Sequence, residues 1–171
     1  MIYRTPPKHT EIDWSSKIKE ALDRTEFLAL STNGAAGIWT SPVAYAYSEK
    51  AELFFISMMS ARHSQNILTD PNVSAAIYKT ERFEDGNVLG LQLSGTAEHL
   101  TDPGEIKEAA RHYFDRSPAN QEFKNKTADG SGASALWQFF RITPTELWCI
   151  DTRVFGEERK KVEVGGLTIK I

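Results

Sequence analysis

In the stretch 53-LFFISMMSARHSQN-66, an apolar segment passes directly into a polar one. Leu53–Met58 has the short, continuous apolar character of a buried strand. Residues 60–70 have the character of a short helix that ends before Pro71, since proline disfavours helical geometry in the residue before it. We therefore predict a strand that leads straight into a helix.

The start of this helix is the most informative point of the sequence. If Ser60 is the N-cap, Arg62 and His63 lie in the first turn, where unpaired backbone N–H groups and the helix dipole favour an anion. Arg62 adds a bidentate donor, and His63 adds a second donor, or a charge if it is protonated. The pattern predicts a phosphate site. The alternative is an ordinary capped helix whose arginine and histidine are solvated.

Segments on both sides of this stretch predict a mostly antiparallel sheet. Turn sequences separate them at Asn33-Gly34, at 48–50 and at Asp85-Gly86. Along residues 88–100, the alternation places leucines on one face and Gln92 on the other. The expected strands are 27–32, 38–47, 53–58, 72–80 and 88–100, then a strand through Trp148 and a closing hairpin over 162–171.

Two further segments have helical spacing. Asp13 is a suitable N-cap for a helix over 13–25. Thr101-Asp102-Pro103 is a typical helix start, and an apolar stripe that includes Tyr113 follows it. We interpret the remaining segments as a loop over 119–134, a helical or extended piece over 136–150 that breaks at Thr143-Pro144 before the last strand, and a charged loop over 151–161.

Six or seven mostly antiparallel strands with two or three helices indicate a small β-barrel decorated by helices, because closing a sheet removes its exposed edges. No linker divides the chain, so residues 1–171 are expected to form one domain. The chain has no GxGxxG motif after its first strand and no regular βαβ alternation, which argues against a Rossmann sheet.

Composition narrows the classes of partner. The 171 residues include 20 Lys plus Arg and 23 Asp plus Glu, a formal net charge of −3. This mildly acidic balance gives no reason to expect nucleic acid or an anionic membrane as the partner. Cys149 is the single cysteine, and neither an export signal nor a membrane-spanning segment is visible in the sequence, so we expect a cytoplasmic protein.

The sequence lacks the residue patterns that are typical of metal sites and of serine hydrolases. The four histidines are far apart in sequence, and no HxxxH or CxxC spacing occurs, so no metal site is predicted. No GxSxG motif is present for a serine hydrolase.

Several short motifs follow one another in a recognisable order. Ser57 lies in the strand 53–58, Arg62-His63 starts the helix, and Asn66 and then residues 70–73 follow. The others are Thr40-Ser41-Pro42-Val43, Gln92-Leu93-Ser94-Gly95, Tyr113-Phe114 with Arg116 and Pro118, and Arg141-Ile142-Thr143-Pro144 before Glu146-Leu147-Trp148. Their order and spacing over residues 18–164 resemble the pyridoxamine 5'-phosphate oxidase-like FMN-binding split barrels, and a bacterial branch of them in particular.

The resemblance implies FMN as the cofactor and a homodimer that holds it at the subunit interface. Two facing barrels can enclose a ring, whereas one small barrel offers only a shallow groove. Arg62 and His63 would hold the flavin phosphate, with Ser57 near the phosphate or the ribityl chain. Ser41 and its neighbours would offer backbone groups to the polar edge of the isoalloxazine. The cofactor-binding residues implied are Ser41, Pro42, Ile56, Ser57, Ser60, Arg62, His63, Gln92 and Trp148.

Some of these residues keep an alternative. Gln92 would hydrogen-bond the flavin ring or be an ordinary exposed strand residue. Trp148 would pack by the cofactor across the interface or lie in the core. Arg153 or Arg159 would also reach across, and the sequence does not choose between them.

The expected substrate site departs from the family pattern. Tyr113 and Arg116 match the residues that would bind the substrate phosphate, but Arg116 falls one residue early and Tyr113 also belongs to an apolar stripe. A lysine of the oxidases is missing from the stretch 43–47, and 151–155 has no histidine. The resemblance thus implies that the cofactor site is kept and that the vitamin substrate site is not.

We therefore expect an FMN-dependent oxidoreductase that acts on a small molecule and needs no catalytic side chain, since hydride reaches the flavin directly from a donor. The alternative is a non-catalytic split barrel that binds haem, a deazaflavin or no cofactor, with His63 or His112 as the haem ligand.

Overall fold

The computed structural model describes residues 12–79, 85–116 and 136–171. Within them, eight strands form one antiparallel sheet and four helices pack around it. The strands are β1 Phe27–Thr32, β2 Trp39–Ala44, β3 Ala46–Tyr47, β4 Leu53–Met58, β5 Asn72–Tyr78, β6 Leu89–His99, β7 Trp137–Asp151 and β8 Arg159–Val162. The helices are α1 Trp14–Asp23, α2 Arg62–Thr69, α3 Pro103–Arg116 and α4 Thr152–Phe155.

The order of the strands explains the shape of the sheet. It is β2-β1-β5-β6-β7-β4-β3, with β8 beside β7. β2 and β3 lie at opposite ends of this order, yet a single residue, Tyr45, joins them. The sheet must therefore curl until its ends meet, and beyond Phe54 a split separates β4 from β2. The predicted split barrel with helices is confirmed.

Tyr45 divides the single strand that the sequence predicted over 38–47. Its backbone N–H donates to the carbonyl oxygen of Glu26 at 3.1 Å, outside the sheet ladder. Its hydroxyl donates to the carbonyl oxygen of Leu22, at 2.8 Å, in the last turns of α1. The strand is therefore drawn out of line at this residue, which is one reason for eight strands where six or seven were expected.

Both faces of β4 are buried. Leu53 and Phe55 face the interior of the barrel, whereas Phe54 and Ile56 face a second apolar cluster beneath α3. Successive side chains of a strand point to opposite faces, so a strand between two apolar layers needs apolar residues at every position. This placement accounts for the unbroken apolar run in the sequence.

The predicted break at Thr143-Pro144 is wrong, because β7 is one strand of 15 residues. The ladder between β6 and β7 shifts register between Ser94 and Gly95, which places Gly95 opposite Pro144. A Cβ on Gly95 would lie 2.2 Å from the carbonyl oxygen of Thr143. A bulge facing a glycine thus accommodates the proline within the strand.

The end of the chain also differs from expectation. Residues 151–161 contain α4 and β8, because Asp151 caps α4 by accepting from the N–H of Arg153 and β8 pairs with β7. After β8 the chain turns at Gly166 (φ +85°) but forms no second strand. Instead the N–H of Ile169 donates to the carbonyl oxygen of Glu49 at 2.7 Å, so the expected hairpin is wrong.

Other expectations hold or lie outside the described residues. Asp13 caps α1, since its carboxylate accepts from the N–H of Ser16 at 3.1 Å. Cys149 is fully buried in the barrel core, as its apolar sequence neighbours indicated. The predicted loop over 119–134 and the N-terminal residues 1–11 are not among the described residues. In the parts of the chain that are described, no helix is long and apolar enough to cross a membrane.

Candidate functional site

α2 begins directly after the end of β4. The N–H of Ala61 donates to the carbonyl oxygen of Met58 at 3.0 Å, and the first helical residue is Arg62. Ala61 is the N-cap and supplies no side-chain hydrogen bond. The predicted N-cap, Ser60, is wrong, because this residue lies exposed in the preceding turn. The helix therefore starts without a capping oxygen, and its first N–H groups keep their capacity to bind an anion.

Arg62 lies between α2 and the hairpin that joins β1 to β2. Its guanidinium carbon is 4.5 Å from the centre of the Trp39 ring, and its Nη2 donates to the carbonyl oxygen of Ala36 at 2.9 Å. The side chain is half-buried. These contacts hold a positive charge at the helix start, beside the first residue of β2.

His63 joins two serines that the sequence assigned to the same site. One ring nitrogen, Nδ1, is 3.1 Å from Ser41 Oγ on β2, and the other, Nε2, is 2.7 Å from Ser57 Oγ on β4. Both serines are buried, and the ring of Phe55 is 6.1 Å from the imidazole. Burial lowers the pKa of His63 below its usual value. Burial therefore favours the uncharged form of the ring, which spans the split of the barrel.

The inner side of α2 closes the same end of the barrel. Asn66 Nδ2 donates to Thr32 Oγ1 at 3.0 Å. A Cβ on Gly34 would lie only 2.0 Å from Asn66 Oδ1, so this turn residue must be glycine for reasons of space. The hydroxyl of Ser64 is buried and has no hydrogen-bond partner among the described residues.

The sequence reasoning missed Trp39 as part of this region, and it placed Asn66 in the motif without giving the residue a role. Trp39 stands one residue before the motif that contains Ser41, and Asn66 stands three residues after His63. The signal for Trp39 is an aromatic residue beside a turn, and the signal for Asn66 is its place one helical turn after the basic pair. Neither signal says what the side chain contacts, since both contacts join segments distant in sequence.

β2 is the terminal strand of the sheet and pairs with β1 in the described ladders. The backbone groups on its other edge face the split, where Ser41 and Pro42 lie. These groups are available to a ligand, as the resemblance implied. Ile56 has a different position, because it faces the apolar cluster beneath α3, opposite to Ser57. Its side chain belongs to the core.

A row of five residues crosses the outer face of the barrel, and we call it the outer row. Its members pair successively across β2, β1, β5, β6 and β7. They are Pro42, Ala29, Ala76, Gln92 and Trp148. The outer row therefore brings together three of the residues assigned to the cofactor. Trp148 is half-buried on this face and does not lie in the barrel core.

Arg159 lies beside the outer row, and Arg153 does not. Arg159 Nε donates to Gln92 Oε1 at 3.1 Å. A guanidinium has only donors, so this contact leaves the Nε2 amide group of Gln92 to donate elsewhere. Arg153 instead bonds to Glu20 and to Asp151, whose carboxylate also accepts from Lys17 Nζ at 2.6 Å. Arg159 therefore contacts the outer row of its own chain, and which of the two arginines reaches across a subunit interface stays a prediction.

A groove of about 450 Å³ continues one end of the outer row. Ala29, Pro42 and Ala76 line it together with the aromatic residues Phe27 and Tyr78 and the charged residues Arg24, Glu26 and Lys79. These two aromatic side chains are 56% and 54% exposed, respectively. Large apolar side chains on the surface beside small ones are typical of a face that another molecule covers.

Tyr113 and Arg116 lie on another side of the sheet. Tyr113 is 3% exposed and packs edge-to-face against Phe114 and Phe139, and burial raises its pKa to about 12. Arg116 Nη2 donates to the carbonyl oxygens of Leu22 and Thr25 at 2.6 and 2.7 Å, which closes the end of α1. Both side chains therefore have packing roles, and the structure does not bring them to α2 or the outer row.

Arg116 also lines a cavity of about 300 Å³ together with Arg111 and His112. This cavity is separate from the groove at the outer row, with which it shares no lining residue. The predicted substrate role of Tyr113 and Arg116 stays a prediction.

Several solved structures have a fold similar to that of this chain. A heme binding protein from Mycobacterium smegmatis has a TM-score of 0.69 at 16% identity, over 91% of this chain and 60% of that one. An FAD-binding protein from Mesorhizobium loti has a TM-score of 0.61 at 20% identity, over 86% and 93% of the two chains. A Clostridium acetobutylicum protein related to general stress protein 26, of the pyridoxinephosphate oxidase family, has a TM-score of 0.65 at 12% identity, over 91% and 99%.

At these identities the likeness shows the fold alone. No curated protein sequence matches the chain significantly. The family model described as pyridoxamine 5'-phosphate oxidase matches residues 15–150, which is most of the chain. The protein belongs to the pyridoxamine 5'-phosphate oxidase family.

Proposed function

We propose that this protein is an FMN-binding oxidoreductase whose cofactor lies at the interface of a homodimer. The observation that carries the proposal is the start of α2. An uncapped helix end, a fixed arginine and the open edge of a terminal strand meet at one place.

The residues at this place fit a terminal phosphate. The first N–H groups of α2 have no capping oxygen, and Arg62 adds donors that suit a phosphate. Ala36 occupies Nη2 of Arg62 only, which leaves the rest of the guanidinium for the ligand. His63 fits less well as a phosphate ligand, because it is uncharged and both of its nitrogens face serines.

The distance from the helix start to the outer row also suits FMN. Trp39, which contacts Arg62, and Pro42, which begins the outer row, are three residues apart on β2, about 10 Å along a strand. A ribityl chain can span such a distance beside the open edge of β2. The isoalloxazine would then lie near Pro42, with the free amide nitrogen of Gln92 as a donor to a ring carbonyl.

The outer row supports a second copy of this chain as the other wall of the site. Small residues form its centre, and the exposed rings of Phe27 and Tyr78 flank it. Such a face permits close approach of a symmetric partner. The partner would cover the flavin from the side that one barrel leaves open.

When bound, FMN would supply hydride and single-electron transfer. The residues of this chain would hold the phosphate, orient the ring and exclude water. We assign no proton transfer to a side chain. A cytoplasmic location belongs to the proposal, because the single cysteine is buried and unpaired, as is common in reducing compartments.

Haem is the second candidate, because one structure of similar fold is described as a heme binding protein. A haem iron needs an axial ligand such as an imidazole nitrogen. In the described part of the chain, Nε2 of each histidine already has a partner: Ser57 for His63, Gln138 for His99 and Arg111 for His112. This arrangement favours FMN over haem.

The visible spectrum of the purified protein, before and after incubation with micromolar FMN and gel filtration, tests the proposal. We expect a retained flavin band at roughly 450 nm and two chains per particle by light scattering. A Soret band at roughly 400 nm would support the haem alternative instead. Protein that retains no flavin after reconstitution contradicts the proposed function.

A further inference from the structure

The contacts of His63 suggest a role different from the one that the sequence predicts. We propose that His63 is an uncharged clasp between β2 and β4, which lie on the two sides of the split in the sheet, and that Arg62, not His63, supplies the charge for the phosphate. The clasp follows from contacts within the protein. The statement about the phosphate rests on the proposed function.

The position of the ring carries the first part. Ser41 belongs to β2 and Ser57 to β4, which are separated by four other strands in the sheet order. In the described ladders β2 pairs with β1, and β4 pairs with β3 and β7, so no backbone hydrogen bonds join β2 to β4. His63 reaches both strands from α2, one ring nitrogen to each serine. The imidazole thus takes the place of a missing ladder bond across the split.

The chemistry of these partners favours the neutral ring. A neutral imidazole donates from one nitrogen and accepts at the other, and a serine hydroxyl can do either. The groups that face the ring from β2 and β4 are Ser41, Ser57 and Phe55, all uncharged. Arg62, the neighbouring charge on α2, bonds to the hairpin, and burial lowers the pKa of His63. No carboxylate among the described groups offsets the cost of protonation.

A clasp and a phosphate ligand make opposite demands on this position. A clasp needs one donor and one acceptor at close spacing, which the side-chain amide of glutamine also provides. A residue that supplies charge to the phosphate must be positive, which lysine provides, but lysine has donors and no acceptor. The variants H63Q and H63K therefore separate the two roles.

The experiment measures the melting temperature and the FMN dissociation constant of both variants beside the parent protein. We expect H63Q to keep its FMN affinity within about threefold of the parent, and its melting temperature to stay close to the parent value. We expect H63K to melt several degrees lower, roughly 2–4 °C for each kcal/mol lost. Tighter FMN binding by H63K together with at least about tenfold weaker binding by H63Q overturns the inference.

Nitrogen NMR of the parent protein gives a readout that needs no variant. We expect the His63 ring to be neutral at pH 7, in a single tautomer, both without FMN and with saturating FMN. An imidazolium in the free protein overturns the clasp, and an imidazolium that appears only with FMN overturns the second part. If FMN does not bind at all, the proposed function fails, while the spectrum of the free protein still decides the clasp.

Discussion

The start of α2 and the outer row differ in how their polar groups are bound. At the start of α2, Ser41, Ser57 and His63 are buried or half-buried and bond to one another. On the outer row, Gln92 is exposed, and its one described partner is a surface arginine. The polar groups of the first region are held by bonds within the chain, whereas those of the second are exposed on the surface.

This difference assigns different roles to the two regions. A pre-ordered polar cluster loses little entropy when it binds a ligand, so it suits the part of a cofactor that must be gripped. An exposed face of small residues gains most from being covered. Substitutions and a change of pH can disrupt one region while leaving the other intact.

The largest effect is expected from a charge placed on the outer row. Ala76→Arg puts a long cationic side chain at its centre, and burying it unpaired against a partner costs several kcal/mol, about 3–5 for an uncompensated charge. We expect the dimer to dissociate and flavin retention to fall with it, measured by light scattering and absorbance. Thr168→Arg, at an exposed position near the chain end, is the matched control and should stay dimeric.

A strong effect restricted to the cofactor is expected at Arg62. Arg62→Ala removes charge-assisted hydrogen bonds worth roughly 1.5–3 kcal/mol each, so FMN binding should weaken about 10- to 100-fold. Lys50→Ala removes an exposed cation from a distant turn and should leave the affinity unchanged. Titration by flavin fluorescence gives both values. Equal FMN affinities for the two variants would show that the phosphate does not bind at the start of α2.

The packing beneath α2 can be broken without replacing a polar side chain. Gly34→Ala places a methyl group on Asn66 Oδ1, which forces the hairpin and the helix apart. Such overpacking costs about 1–3 kcal/mol, or several degrees in melting temperature. Gly165→Ala, where nothing lies within 4 Å of the new methyl group, is the control. If both variants melt alike, the close approach of Asn66 is not a constraint on folding.

A smaller effect is expected from pH. The folded-state pKa of His63 lies below its ordinary value of 6.5, because of burial, so the unfolded chain binds the proton more readily. The resulting stability is complete above pH 6.5 and is lost as the pH falls through the folded pKa. His112 shifts in the same direction for the same first cause, so H63Q should reduce the loss without abolishing it. Urea unfolding at pH 7 and pH 5.5 measures the difference, and equal losses in both proteins contradict it.

The smallest effect is expected at Gln92. Gln92→Glu keeps an acceptor for Arg159 but replaces the free amide donor with a second acceptor. We expect FMN binding to weaken by about 0.5–1.5 kcal/mol, the usual worth of one hydrogen bond, with a shift of the flavin absorption band. An unchanged band and affinity would show that this side chain does not contact the ring.

Local patterns were sufficient to predict much of the fold. The apolar run of β4, the basic pair after it and the alternation along β6 each depend on residues close in sequence. They predicted the strand-to-helix junction, and the order of the motifs indicated the family that the chain belongs to. The strand order was not needed for any of these predictions.

The contacts that the sequence could not predict depend on the curl of the sheet. His63 meets Ser41 only because β2 and β4 come together after four other strands have paired. Pro144 stays in a strand because a glycine lies opposite it, 49 residues away by number in β6. Arg153 does not lie beside the outer row, because it belongs to α4, a single helical turn, and its side chain bonds to Asp151.

The ion pair between Lys17 and Asp151 has a consequence for folding during synthesis. Its two partners are 134 residues apart, and the carboxylate is fully buried. During synthesis α1 leaves the ribosome first, and its lysine has only the nearby Glu20, at 3.9 Å, as an ionic partner until Asp151 has been made. Tyr45 can hold the end of α1 much earlier, so a nascent chain that stalls before the end of β7 lacks this ion pair but not every contact of its first helix.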